Sequence, residues 1–228
     1  MDKAELTDTF RQELAEWARS AEESGQHYLS KGYQGRVLLY KSNGHRLVLK
    51  APTPWWPYSV LSKLMLHHEA RVYQKLTGLN GIPRCHGMVG NRYLVLDYIE
   101  GDCLREVELR NPDVFFESFL RTIRLMHAAG VGHADLKRKD NILVGSDEKP
   151  WLIDFGVAVT RKRGFRPLNR FLFNTARRFD LNAWVKHKYR RRLGDASPSD
   201  QRYLHLTWME RTGRRLKRLY RRLRPKRN

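Results

Sequence analysis

Apolar residues recur at spacings of three and four over residues 4–23, through Leu6, Phe10, Leu14, Trp17 and Ala21. That period predicts an amphipathic helix, ended by Ser24-Gly25, that packs on the domain as a cap. The period then shortens. Residues 35–40 (GRVLLY) and 46–50 (RLVLK) flank Ser42-Asn43-Gly44, which predicts a β-hairpin. Residues 51–58 (APTPWWPY) hold three prolines and three aromatics and exclude a regular element. Helical spacing returns over 61–76 through Leu64, Leu66, Ala70, Tyr73 and Leu76, closed by the glycines of 78–81. Residues 82–89 and 92–99 form a second predicted hairpin around Gly90-Asn91. Asn111-Pro112 opens a helix whose buried stripe is Phe115, Phe119, Ile123 and Met126, and Gly130 stops it. Two short apolar segments follow, 141–144 and 151–153, and beyond residue 160 the chain reads as helical and basic. Strands gather early and helices late, so the fold class is α+β with two lobes rather than a doubly wound sheet.

Charge divides the chain where periodicity does not. Residues 161–228 hold 23 Lys/Arg and 4 Asp/Glu, a net of +19 out of the total of +20, so the first 160 residues are nearly neutral. Such asymmetry implies a polyanionic partner. Ser197-Pro198-Ser199-Asp200 is a capped helix start. Tyr203, Leu206, Met209, Leu216, Tyr220 and Leu223 then trace an apolar stripe between arginines. A basic amphipathic helix of this kind fits an anionic membrane surface; packing on its own lobe and nucleic-acid contact are the alternatives. Trp55-Trp56 either packs on the small lobe or adds an interfacial contact. Two cysteines in 228 residues exclude a disulfide scaffold, and Cys85, Cys103, His67 and His127 show no metal-ligand spacing. Apolar runs are far shorter than the roughly 20 residues that cross a bilayer. The expectation is a cytoplasmic chain, peripheral on the inner face of the inner membrane if the tail binds there.

The candidate chemistry lies between the two charge regimes. His133-Ala134-Asp135-Leu136-Lys137 follows the long helix, Asn141-Ile142-Leu143-Val144 comes next, and Ile153-Asp154-Phe155-Gly156 closes the set. Two carboxylates and an amide on adjacent loops offer hard oxygens to Mg²⁺ and a proton acceptor to a hydroxyl. In that order the three segments resemble the protein-kinase-like superfamily over residues 28–185. The resemblance implies a bilobal fold with a small β-rich N-lobe and a reduced helical C-lobe, and an ATP- and Mg²⁺-dependent phosphotransferase. It implies roles residue by residue. Asp135 is the base, and Lys137 either contacts the transferred phosphoryl group or is a solvated lysine. Asn141 and Asp154 hold Mg²⁺. Lys50, paired with Glu69, holds the non-transferred phosphates. Gly32 and Gly35 form a shortened glycine-rich loop, and Asp97 and Ile99 lie in the interlobe segment LDYIEG, whose backbone holds adenine.

Two departures qualify the likeness. Kinases place the asparagine five residues after the catalytic aspartate; here that position is Asp140 and Asn141 is sixth, so a one-residue extension is the preferred reading and Asp140 a rival ligand. No Ala-Pro-Glu follows Asp154, and only 26 positions separate it from Asp180. That truncation resembles bacterial lipopolysaccharide-core (heptose or Kdo) kinases and compact RIO- and Bud32-type atypical kinases. The resemblance therefore implies a sugar hydroxyl on a membrane-anchored glycolipid as acceptor, with a protein hydroxyl as runner-up and a non-catalytic kinase-shaped binding protein as a lesser alternative. The organisation expected is an N-terminal helix over 1–27, a kinase-like domain over 28–192 divided near residue 99, and a basic helix over 193–228.

Overall fold

The computed structural model describes residues 6–32, 35–42, 44–54 and 58–204. Helix α1 (Asp8–Ser24) begins where the Phe10 N–H donates to the Thr7 hydroxyl, 3.3 Å away, and ends at Gly25 in the left-handed conformation, φ 71°. It lies on an antiparallel five-stranded sheet built from β1 (Tyr28–Gly32), β2 (Gly35–Ser42), β3 (His45–Ala51), β4 (Cys85–Val89) and β5 (Tyr93–Asp97), in the order β1-β2-β3-β5-β4. Helix α2 (Tyr58–Lys75) connects β3 to β4.

The period-two rule sorts the central strands. Along β5, Tyr93 and Val95 join the α1-facing core with Leu38, Leu47 and Leu49, whereas Leu94 and Leu96 join Leu66, Ala70 and Tyr73 of α2. Both faces are covered, which is why β5 reads as an unbroken apolar run. Leu14, Ala18 and Ala21 of α1 complete the first core. Glu22 at the end of α1 accepts from Arg92 at 3.1 Å and from the Tyr93 hydroxyl at 2.7 Å. Burial and the neighbouring carboxylate push the Tyr93 phenol up to about 12. Helix α1 thus packs on the sheet of the upper lobe.

The second core continues without a break into the lower lobe. There β6 (Gly101–Cys103), β8 (Ile142–Gly145) and β9 (Pro150–Leu152) form a small sheet, and β7 (Val131–Gly132) pairs with β10 (Val159–Thr160). Helices α3 (Pro112–Ala128) and α4 (Pro167–Lys188) pack beneath. Trp184 of α4 is buried, with its indole N–H donating to the Phe116 carbonyl at 2.7 Å.

Helix α5 (Pro198–Gln201) starts at the foreseen cap, with the Asp200 N–H donating to the Ser197 hydroxyl, but it stops after four residues. Asp200 is drawn back to Lys188 and to the Tyr189 hydroxyl, each at 2.7 Å. Tyr203 turns edge-on against Trp184, 5.7 Å between ring centres. Leu193, Ala196 and Leu204 join the same core. The expected basic helix over 193–228 therefore does not begin at residue 193; its first twelve residues belong to the lower lobe. The rest of the apolar stripe, Leu206 to Leu223, lies outside the described residues, as do Trp55 and Trp56.

Candidate active site

The site forms where the two lobes meet. Lys50, near the end of β3, reaches across to Glu69 on the buried face of α2, 2.6 Å from Nζ to Oε1. The same Nζ lies 3.3 Å from Asp154 Oδ1. Glu69 also accepts from the Phe155 N–H at 3.2 Å, so one carboxylate ties β3, α2 and the Asp154 turn together. Phe155 is held between Tyr73 and His133, with ring centres 4.9 and 4.6 Å away. Burial alone pulls the Lys50 ammonium down; the charges of Glu69 and Asp154 outweigh it and hold Lys50 above the usual lysine range. Burial likewise pushes Asp154 up, and Lys50 outweighs it, so Asp154 sits below the usual carboxylate range. Asp154 is therefore ionised at neutral pH.

Asp135 stands on a turn that is fixed from below. The backbone N–H groups of His133 and Ala134 donate to the two oxygens of Asp180, each at 2.9 Å, and His127 Nε2 donates to the same carboxylate at 2.9 Å. Asp180 is fully buried on α4. His133 Nε2 donates to the Ile153 carbonyl at 2.9 Å, linking this turn to the segment that carries Asp154. Ala134 and Asp154 both adopt left-handed backbone, φ 69° and 67°. Such strain in non-glycine residues persists only where the surroundings impose it, and it concentrates at functional sites.

The one-residue extension is absorbed by a 3₁₀ turn over Lys139–Asn141. That turn brings Asn141, not Asp140, to Asp135. The Asn141 amide nitrogen donates to the Asp135 carbonyl at 3.1 Å and to Oδ2 at 3.3 Å, which leaves the amide oxygen as a hard donor. Asp140 turns outward to pair with Arg105. The Ile153 N–H donates to the Asn141 carbonyl at 3.0 Å, joining the Asn141 turn to the segment that carries Asp154. Lys137 is exposed, its Nζ 3.8 Å from Asp135 Oδ1.

Gly32 and Gly35 face each other across the β1–β2 pair, and residues 33–34 between them lie outside the described residues. Gly35 has φ 145°, and a Cβ there would fall 2.4 Å from the Ala51 carbonyl. Close approach of β2 to the end of β3 is thus sufficient reason for this glycine. Asp97 ends β5 with its carboxylate 2.8 Å from His86 Nε2 on β4. Ile99 lies in the irregular segment between β5 and β6. Sequence reasoning did not pick out Asp180 as a support. Its signal was a carboxylate on an otherwise apolar helix stripe with Ala176, Ala183 and Trp184.

The sequence model of the RIO domain family matches residues 56–180, more than half of the chain. The chain belongs to the RIO domain family. This places it in the protein-kinase-like superfamily, in agreement with the mixed α+β fold and with the atypical-kinase branch of the resemblance. The RIO domain chain is also similar to curated kinases. It is 30% identical over 112 residues to the probable serine/threonine-protein kinase fnkB of Dictyostelium discoideum, covering 44% of this chain and 20% of that one. It is 34% identical over 103 residues to serine/threonine-protein kinase D of a Synechocystis species, covering 42% and 20%. It is 38% identical over 82 residues to the 3-deoxy-D-manno-octulosonic acid kinase of Photobacterium profundum, covering 34% of each. The match spans about a fifth of the length of the first two and a third of the last.

Proposed function

We propose that this chain transfers the terminal phosphoryl group of ATP to a hydroxyl, with Mg²⁺ as cofactor. The observation that supports this is the meeting of Lys50–Glu69 with the Asp135–Asn141 turn and Asp154 in a member of a kinase-like family. Asp154 and Asn141 would hold the ion. One ionised carboxylate and one amide oxygen suit Mg²⁺, which prefers hard oxygens and keeps places for substrate phosphates. When bound, the ion neutralises charge on the phosphates. Lys50, kept charged by Glu69, would hold the non-transferred phosphates. The acceptor oxygen attacks the γ-phosphorus as the bond to the bridging oxygen of ADP breaks, and Asp135 takes the hydroxyl proton. The amide of Asn141 and the Asp180-braced turn keep Asp135 aimed.

The acceptor we propose is a sugar hydroxyl on a membrane-anchored glycolipid of the lipopolysaccharide-core kind. The likeness to the 3-deoxy-D-manno-octulosonic acid kinase supports it. A surface feature supports it independently. Phe165, Leu168 and Phe171 are 96%, 70% and 65% exposed in the segment leading into α4 and its first turns, interleaved with Arg161, Lys162, Arg163, Arg166 and Arg170. Exposed large apolar side chains among cations suit an anionic lipid surface, which takes both. A protein hydroxyl is the second reading, supported by the serine/threonine-kinase relatives. Incubating the full chain with radiolabelled ATP and either a lipopolysaccharide extract or a protein mixture decides between them; label only in protein would overturn the glycolipid acceptor.

Two further outcomes are expected. Asp154→Ala should weaken Mg²⁺-dependent nucleotide binding more than Asn141→Ala, because a carboxylate brings a full charge and an amide only a dipole. Asp140→Ala should have the least effect of the three; if titration of nucleotide in Mg²⁺ ranks it above Asn141→Ala, Asp140 is the ligand. Phe165→Ser with Phe171→Ser should lower co-sedimentation with anionic vesicles at least about tenfold, given the value of burying a phenylalanine. Unchanged co-sedimentation would remove this face from membrane contact.

A further inference from the structure

Next to the Asp135 turn, residues 137–140 and the C-terminal end of α4 line an open cavity of about 1090 Å³. Seven lysines and arginines line it against a single carboxylate, Asp140, which Arg105 already engages. The cations arrive from three parts of the chain: Arg105 after β6, Lys137, Arg138 and Lys139 on the catalytic turn, and Lys186, Arg190 and Arg191 at and just beyond the end of α4. A helix C-terminus favours cations in its own last turn, which accounts for Lys186. It does not account for Arg105 and Lys139, which reach the same space from other elements. Like charges gathered on a concave surface repel one another and attract a counter-anion.

The walls are held in place. His187 Nε2 donates to the Leu136 carbonyl at 2.8 Å, fastening the end of α4 to the catalytic turn. Arg190 and Arg191 both adopt left-handed backbone, φ 46° and 65°, in a turn closed by the Arg191 N–H donating to the Lys186 carbonyl at 2.8 Å. Two consecutive arginines in a conformation that disfavours any side chain mark imposed strain at the cavity's rim. The floor is apolar, formed by Leu104, Val107, Ala183 and Leu193. Among the described residues no phenylalanine, tyrosine or tryptophan lines the space, so there is no platform of those rings for stacked nucleic-acid bases. Lys137 connects cavity and chemistry, since its Nζ is 3.8 Å from Asp135 Oδ1.

We propose that this cavity binds the anionic part of the phosphoryl acceptor: a compact, non-aromatic group that carries two or more phosphate or carboxylate charges near the hydroxyl to be phosphorylated. The assignment deepens the phosphotransferase reading and rests on it. A free sugar phosphate and an acidic sugar on a lipid share this chemistry. Calorimetric titration of the full chain with fructose 1,6-bisphosphate, with fructose, and with phosphatidylcholine vesicles carrying a bisphosphorylated glycolipid separates the two sources. The bisphosphate or the glycolipid should bind and fructose should not. Arg190→Gly with Arg191→Gly removes two charges and suits the left-handed backbone, so the fold is not challenged. This variant should bind the charged probe at least about tenfold more weakly, the usual scale for losing charge-assisted hydrogen bonds, with nucleotide affinity unchanged. Lys50→Met should do the reverse. Charged-probe binding in a chain that binds no ATP would remove the phosphotransferase reading and leave the cavity. The assignment is overturned if neither charged probe binds, if the glycine variant binds as the parent does, or if a short RNA displaces the probe more effectively than a free sugar phosphate does.

Discussion

Asp135→Asn is expected to lower turnover about 10²–10⁴-fold, the usual contribution of a positioned general base, while nucleotide affinity stays within about twofold of the parent, because the proposal gives Asp135 no phosphate contact. The substitution is nearly isosteric. It keeps the backbone carbonyl that Asn141 contacts at 3.1 Å and alters the weaker 3.3 Å bond to Oδ2 and the 3.8 Å ion pair with the exposed Lys137. The turn beneath is untouched, since Asp180 holds it through the backbone of His133 and Ala134. An amide cannot accept the acceptor's proton at neutral pH, so the loss should fall on kcat. The check is steady-state phosphoryl transfer alongside an independent nucleotide titration. Turnover near that of the parent would take Asp135 out of the mechanism; equal loss of nucleotide affinity would mean that it organises the site rather than accepting a proton.

How much of this was legible before the structure varies with the range of the signal. Long amphipathic segments were readable because α1, α2 and α3 each present one apolar stripe to one core. The β2–β3 and β4–β5 hairpins were readable because their turns carry their own chemistry. Strands β6, β7 and β10 are two or three residues long and exist only through partners far along the chain, so local pattern could not mark them. Strand β1 has little alternation to show: it is an edge strand, and Leu29 is half exposed. Within the site, Lys50, Glu69, Asp135, Asn141 and Asp154 stood out because their order along the chain is itself a pattern. Asp180 did not, because its targets are two backbone amides 46 and 47 residues away, and backbone amides have no sequence signature. The basic cavity was illegible for the same reason. Its cations are scattered from Arg105 to Arg191 and are indistinguishable one by one from the solvated arginines around them. Periodicity also carried a helix through residues 202–204, where Tyr203 instead turns edge-on against Trp184.

Lys50→Ala and Glu69→Ala are expected to be strongly non-additive in stability as well as in nucleotide binding. Glu69 is only 4% exposed at its side chain, and its partners are the Lys50 ammonium at 2.6 Å and the Phe155 N–H at 3.2 Å. Removing Lys50 leaves a buried carboxylate with one amide donor. Breaking a buried ion pair from one side costs about 3–5 kcal/mol, while removing both charges omits the desolvation penalty of each. The double variant should therefore be less destabilised than the sum of the singles, with a coupling of about 0.5–3 kcal/mol. The pH dependence has a definite sign. Lys50 is held above its ordinary range, so its contribution is complete below the unfolded lysine value of about 10.4 and is lost as pH rises through the higher folded value. Asp154 is held below its range, so its share is complete above about 3.9 and is lost as pH falls through the lower folded value. Between those limits the parent's advantage over Lys50→Ala should be flat. Urea denaturation of the four chains at acidic, neutral and alkaline pH measures the coupling and both limbs of the pH dependence. A double variant whose loss equals the sum of two large single losses would show that Lys50 and Glu69 act separately, and with that the charged Lys50 proposed to hold the phosphates would lose its support.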